Sequence, residues 1–262
     1  LAMIYLRRGQ TQKALQAAEA MARRDPANLS ALNFLGSMKA ATGDRAGARA
    51  AYTQVLAKNA AFRPATVNLA RLDAAESRYD DARRRLNELL GKQRDDPDIL
   101  FELGLVEQRA GRPDDAARHL QKAIELQRKD PRAGLALVDL RLSQRQGDQA
   151  LAAAKELSAR FPDNLAVQLA LGRTHLALGD HASARSIFHS STRLAEFDPA
   201  MQVRIGHLQL AAGNPEGASY NAQKALQGRP DDPAALVLLV EVEARRGDSA
   251  KADAVLKTLT TK

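Results

Sequence analysis

The sequence predicts an all-α solenoid of about eight tandem helix pairs, and three observations carry that prediction. Alanine recurs every 34 residues without exception, at Ala14, Ala48, Ala82, Ala116, Ala150, Ala184, Ala218 and Ala252. In a second phase, glycine recurs at Gly9, Gly43, Gly111, Gly179, Gly213 and Gly247. The composition is 45% hydrophobic with 4% aromatic residues and no Trp, and it leans on Ala, Leu, Arg, Gln and Glu, which are good helix formers. A fixed period of this length is the signature of stacked two-helix units that bury their apolar faces only against neighbours.

The elements of one unit follow in order. A first helix carries Leu1, Leu35, Leu69, Leu103, Leu137, Leu171, Ile205 and Leu239 in one phase, and the next position is small at Ala2, Gly36, Ala70, Gly104, Gly172 and Gly206. Small residues belong where two helices cross closely. The turn comes at the recurring glycine, which accepts the left-handed conformation at a helix C-terminus, with Ser77 and Arg145 standing in that place in two repeats. Asp44, Asp180, Asn214 and Asp248 directly follow glycines and are placed to cap the second helix, while Pro113 and Pro215 fall at a first helical position. The second helix carries the invariant Ala, then Tyr52, Leu86, Leu120, Phe188 and Leu256 in one phase and Val55, Leu89, Leu157 and Leu259 in another, all read as core. Asn28, Asp96, Asp130, Asn164, Asp198 and Asp232 mark the boundary before the next first helix, where Pro97, Pro131, Pro199 and Pro233 take the first helical position. The units are thus 1–28 (partial), 29–62, 63–96, 97–130, 131–164, 165–198, 199–232 and 233–262 (partial), one solenoid over 1–262 with truncated ends. The repeat from Pro131 is irregular, because Gly147 lies two residues past the expected turn.

Leu-Gly in the first helix, Gly-Asp at the turn, Ala in the second helix and Pro near the boundary resemble the tetratricopeptide repeat family over the whole chain. The resemblance implies a right-handed α-solenoid that binds a protein or peptide in its concave groove. The sequence departs from the family pattern by lacking the first-helix aromatic in most repeats. Two stretches, FRPATVNLARLD (62–73) and GDRAGARAAY (43–52), also resemble the repeat lipoproteins encoded with exosortase (PEP-CTERM) and exopolysaccharide systems of Gram-negative bacteria. That narrower resemblance implies a periplasmic or outer-membrane-associated location and a role in exopolysaccharide assembly or protein sorting.

The chemistry of a catalyst is not legible. His119, His175, His181, His189 and His207 show no metal-ligand spacing, Cys is absent, and no GxxxxGK[ST], GxGxxG or GxSxG occurs, so no metal or other cofactor is expected and the chain reads as a non-enzyme. Carboxylates are expected mainly at caps and solvated outer faces. The net charge of +8 would attract polyanions, but Asp95-Asp96, Asp114-Asp115 and Asp231-Asp232 interleave with the cations and stacking aromatics are scarce, so nucleic acid is not the expected partner. No apolar run is long enough to span a membrane, and Leu1 to Arg8 resembles no secretory signal. The chain opens midway through a first helix and closes at the end of a second without a polar capping helix, which suggests a segment of a longer array.

Function is therefore expected from shape, in a groove lined by first helices. The candidate lining is Asn33, Phe34, Asn68, Arg71, Phe101 and Arg109 in the N-terminal half and Asp139, Arg173, Arg204 and His207 in the C-terminal half. Asn68 and Arg71 lie three apart on one helix face, with room left by Ala40, Ala41, Ala74 and Ala75, an arrangement suited to an extended peptide or an acidic group. The family's carboxylate clamp uses Lys and Asn, of which only Asn68 matches. Leu135, Leu142, Leu169, Leu176, Val203, Leu210, Val237 and Leu238 form an apolar stretch that either packs internally or receives an amphipathic helix. The leading expectation is a protein-interaction scaffold. The alternatives are a carbohydrate-contacting module holding a polysaccharide chain, for which aromatic platforms are few, and, resting on net charge alone, a nucleic-acid binder.

Overall fold

The computed structural model describes residues 2–7, 9–92 and 95–260. It forms two compact units, 1–128 and 129–262, and among the described residues it contains sixteen helices and no strand. The first unit runs α1 (Ala2–Arg7), α2 (Thr11–Arg24), α3 (Leu29–Ala41), α4 (Arg45–Lys58), α5 (Arg63–Ala75), α6 (Tyr79–Lys92), α7 (Pro97–Arg109) and α8 (Pro113–Leu126). The second runs α9 (Arg132–Ser143), α10 (Gly147–Arg160), α11 (Leu165–Ala177), α12 (His181–Leu194), α13 (Pro199–Ala211), α14 (Pro215–Gly228), α15 (Pro233–Arg246) and α16 (Ser249–Thr260). Within each unit every helix packs on the next, and first helices of successive repeats also touch: α3 on α5 and α5 on α7, then α9 on α11, α11 on α13 and α13 on α15.

Each helix pair is closed by the same turn. Gly9, Gly43, Gly111, Gly179, Gly213 and Gly247 all have positive φ, and so do Ser77 (61°) and Arg145 (58°). The residue after each sends its N–H to the carbonyl five residues back, as in Asp44 to Lys39 (2.9 Å), Arg78 to Asp73 (2.8 Å), Gln146 to Arg141 (2.9 Å) and Asp180 to His175 (2.9 Å). This is the six-to-one bond of a Schellman closure. Gly147, which makes the fifth repeat look irregular in sequence, is simply the first residue of α10, and the turn stays in register at Arg145 despite its side chain.

The caps form as their residue types dictate. Asp44 accepts from the N–H of Gly47, Asp180 from Ser183, Asn214 from Gly217 and Asp248 from Lys251. Asn28, Asp96, Asn164, Asp198 and Asp232 cap first helices in the same way. One position departs from the expectation: Pro131 precedes α9 instead of opening it, because Asp130 accepts from the N–H of Arg132 and the helix begins there.

Packing within a pair is a matter of volumes. A Cβ added at Gly36 would fall 2.5 Å from the Tyr52 ring, at Gly104 2.7 Å from Leu120, and at Gly172 2.3 Å from the Phe188 ring. The partner in each case lies sixteen residues on and is buried. Where the first helix instead carries Val138, the residue sixteen on is Ala154, and both are buried. Large and small thus exchange places between repeats while the layer stays filled, as close packing demands. Leu256 is the member of this second-helix set that stays open, at 42% exposed, so the expectation of core packing fails there.

Two measurements test these points. Gly172→Val alone should destabilise by about 1–3 kcal/mol through overpacking, and Phe188→Ala alone by about 3–5 kcal/mol through a cavity. The double variant recreates the Val138–Ala154 arrangement, so its loss in urea denaturation should fall short of the sum by about 0.5–3 kcal/mol; strict additivity would contradict the exchange. The Asp180 carboxyl is held at about 2, below the usual 3.8, first by hydrogen bonding to the Ser183 side chain and then to its backbone N–H, with His175 adding to it. A depressed carboxylate stabilises the fold above pH 3.8 and loses that contribution as pH falls through about 2. An NMR titration should place the Asp180 midpoint near 2; an ordinary value would remove the cap's role.

Candidate functional site

The first helices of the N-terminal unit bring the expected residues into one polar chain. Asn68 Nδ2 on α5 donates to Asn33 Oδ1 on α3 at 3.2 Å and approaches Ser37 Oγ at 3.5 Å. Tyr52 donates its hydroxyl to the same Ser37 Oγ at 3.3 Å, and its pKa is raised by burial against the opposing effects of Ser37 and Arg71. Arg71 reaches Asn68 Oδ1 at 3.4 Å and clasps Glu102 of α7 with two nitrogens, Nε to Oε2 at 2.9 Å and Nη2 to Oε1. Phe34 is half-buried and packs on the cluster of Ala14, Ala18 and Met38. Phe101 is half-buried on α7. Arg109, at the end of α7, is exposed and makes no ion pair among the described residues.

Two corrections follow from this geometry. Arg71 is not an open cation awaiting a ligand carboxylate, since Glu102, only 5% exposed, already occupies its fork. The second qualifies the carboxylates, expected mainly at caps and outer faces, because several are buried. Asp73 is 1% exposed and meets Arg49 at 2.7 Å, Arg78 at 2.9 Å and Arg85 at 2.8 Å. Glu107, 3% exposed, receives Arg83 Nε at 2.6 Å and Nη2 at 3.0 Å, which holds the Arg83 guanidinium protonated well above its ordinary value. Asp96 pairs with Arg63 at 2.7 Å. Buried carboxylates require such partners, because an uncompensated charge in the interior is costly.

The C-terminal unit uses the same helix face differently. Arg173 on α11 pairs with Asp139 on α9 at 2.8 Å, and His207 on α13 faces Glu241 on α15 at 3.3 Å, each pair bridging successive first helices. Arg204 is exposed with no ion-pair partner among the described residues. Leu169, Val203, Leu210 and Leu238 are buried and Leu135, Leu142 and Leu176 half-buried, while Val237 remains 43% exposed. Most of the apolar stretch therefore packs internally.

A further set of positions escaped the sequence reading. Lys39, Asp73, Arg141, His175 and Gln209 share one 34-residue phase, and each engages the side chain five residues on: Asp44 (3.5 Å), Arg78 (2.9 Å), Gln146 (2.7 Å), Asp180 (3.0 Å) and Asn214 (2.9 Å). These latches cross the turn inside one repeat. The signal was present as complementary polar types at fixed phase, masked because the charge reverses between repeats. Among the described residues, no group of three or more His, Asp or Glu is gathered to hold a metal ion, and no helix is long and apolar enough to cross a membrane.

Removing Arg71 by Arg71→Ala leaves the Glu102 carboxylate buried without its guanidinium and should cost on the order of 1–3 kcal/mol. Adding Glu102→Gln to that variant should recover most of the loss, because a neutral amide is cheaper to bury. Denaturation midpoints of the three proteins decide it; an Arg71→Ala protein as stable as the parent would mean the pair is only solvated surface.

Tetratricopeptide repeat models match residues 1–65 and 67–133, and a second such model matches 141–202 and 209–262. Cellulose synthase 2 operon protein C of Komagataeibacter xylinus is 32% identical over 136 residues, covering 48% of this chain and 10% of that protein. Cellulose synthase operon protein C of Xanthomonas axonopodis pv. citri (strain 306) is 37% identical over 92 residues, 35% of this chain and 6% of that protein. The chain thus spans a tenth or less of the length of these curated relatives. A tetratricopeptide repeat protein from Parabacteroides merdae superposes with a TM-score of 0.59 at 20% identity, covering 92% of this chain and 95% of that one, a likeness of fold. With repeat models covering both halves, eight turns in register and sixteen paired helices, the chain belongs to the tetratricopeptide repeat family.

Proposed function

We propose that this protein is a non-catalytic interaction scaffold that binds an extended segment of a protein partner along the first helices α3, α5 and α7, within exopolysaccharide assembly or protein sorting at a bacterial envelope. The observation that carries the reading is the Asn33–Asn68 pair, two side-chain amides on the successive first helices α3 and α5 that meet at 3.2 Å. An amide offers donor and acceptor together, which suits a peptide backbone lying across the helices. Arg109, exposed and without a carboxylate partner among the described residues, supplies the cation that Arg71 does not. The relatives named for cellulose synthase operons support the exopolysaccharide setting. The likeness of 43–52 and 62–73 to exosortase-associated repeat lipoproteins points to a periplasmic or outer-membrane-associated place.

The test replaces Asn33, Asn68 and Arg109 together by Ala and leaves the Arg71–Glu102 clasp intact. Exposed and half-exposed substitutions of this kind should shift stability by only about 0.5 kcal/mol. Affinity for a partner first identified with the parent protein should fall at least tenfold in calorimetric titration, about 1.4 kcal/mol. Equal affinities would remove this helix face from the binding surface.

A further inference from the structure

The C-terminal unit holds a cavity of about 900 Å³ on its second-helix side, away from the first-helix row. It is lined by Asp163 from the α10–α11 connection, by His189 and Arg193 of α12, by Glu196 and Phe197 of the α12–α13 connection, and by Tyr220 and Lys224 of α14. Its size lies in the range of ligand sites, about 300–1,000 Å³.

Three features separate it from ordinary surface. First, its aromatics are held out to solvent: Phe197 is 85% exposed and Tyr220 48%. Lone exposed hydrophobics are commonplace, but these two share one cavity, with Lys224 5.7 Å from the Tyr220 ring centre. Second, the connection that presents Phe197 is fixed from below. Glu196 takes a left-handed φ of 47°, a conformation that costs a non-glycine residue and persists only where its surroundings enforce it. Gln202, 1% exposed, donates to the carbonyls of Glu196 (2.8 Å) and Thr192 (3.1 Å), and accepts from Asn221 (2.7 Å), itself 1% exposed. Third, the cavity's charges are unspent. Arg193 and Lys224 form no ion pair among the described residues, and neither do the Asp163 and Glu196 carboxylates.

The balance of those charges selects the ligand. Two cations face two carboxylates, so neither a polyanion nor a polycation gains net attraction. The backbone of the connection is also occupied: the N–H groups of Ala195, Glu196 and Asp198 bond back into α12 and the turn, and the Thr192 and Glu196 carbonyls are taken by Gln202. An extended peptide would find few main-chain partners. What remains is the Phe197 ring and the face of the Tyr220 ring opposite Lys224, surrounded by side-chain donors and acceptors. A neutral sugar matches this, with C–H faces that lie on aromatic rings and hydroxyls that both donate to carboxylates and accept from guanidinium and ammonium groups. We propose that this cavity binds a neutral oligosaccharide, with Phe197 and Tyr220 as the stacking surfaces. The inference goes beyond the scaffold reading and stands whether or not a protein docks on the first-helix face.

The experiment titrates the 262-residue chain with cellohexaose and with maltohexaose, with a hexagalacturonate as the anionic counterpart, by NMR and calorimetry. The parent protein should bind at least one neutral hexasaccharide more tightly than the galacturonate. Phe197→Ala with Tyr220→Ala should weaken that binding at least tenfold with unchanged melting, and Phe197→Tyr should retain it. Failure of both neutral sugars to bind, tighter binding of the galacturonate, or full affinity in the double Ala variant would overturn the proposal. Because none of these residues lies on α3, α5 or α7, a failed partner titration at Asn33, Asn68 and Arg109 leaves this result untouched.

Discussion

The structure hangs on one hydrogen bond made eight times, from the N–H just past each left-handed turn residue to the carbonyl five residues back. It satisfies a carbonyl that the end of a helix would leave orphaned, and it fixes the direction in which the chain re-enters the next helix. With that direction fixed, the crossing of the two helices is fixed too. The small residue of the first helix then meets the residue sixteen positions later, as Gly36, Gly104 and Gly172 do, while Gly206 is filled instead by Leu238 of the next first helix. Ser77 and Arg145 show how strong the constraint is, since both adopt the glycine conformation without being glycine.

Given a common frame, the two units fill their polar interiors with different chemistry. The N-terminal unit buries Asp73, Asp96, Glu102 and Glu107 and answers each with arginine from another element or turn. The C-terminal unit, apart from Glu243 and its Arg246 partner, relies on neutral amides and hydroxyls, as where Gln202, Asn221 and Thr192 bond one another and where Gln209 meets Asn214. Buried ion pairs add little net stability over apolar packing, and their removal one partner at a time is what costs. The arginine clasps therefore contribute more to the definition of which helix meets which than to the depth of the fold.

What could be read from the sequence was what is local. The turn glycines, the cap residues such as Asp44 and Asp180, and the proline-marked starts of α7, α13 and α15 are decided within a few residues of chain, so type and spacing suffice. The small-large exchange of Gly172 with Phe188 and Val138 with Ala154 was half visible, as a phase with exceptions, and became a rule only when the facing residue was known. Arg71 was misread because its partner, Glu102, lies thirty-one residues away and its burial depends on rotation about the helix axis. The cavity around Phe197 was invisible for a related reason: its lining comes from two helices and two connections, none carrying a motif. Phe34, at a groove position, also packs on Ala14, Ala18 and Met38, a contact across repeats that spacing within its own helix does not reveal.

The changing charge at one phase has a consequence for the chain as it is made. A polypeptide of near-identical modules risks docking a module against the wrong neighbour, skipping one and leaving a loop. Arg83 of α6 belongs against Glu107 of α7. Skipping a module would bring the residue 34 further on, Arg141, into that place, and two guanidiniums would meet where a salt bridge should form. At that junction the change of charge that obscures the pattern on paper disfavours the skipped docking, whereas a skip that set Glu107 in the place of Asp73 against Arg49 would keep its salt bridge.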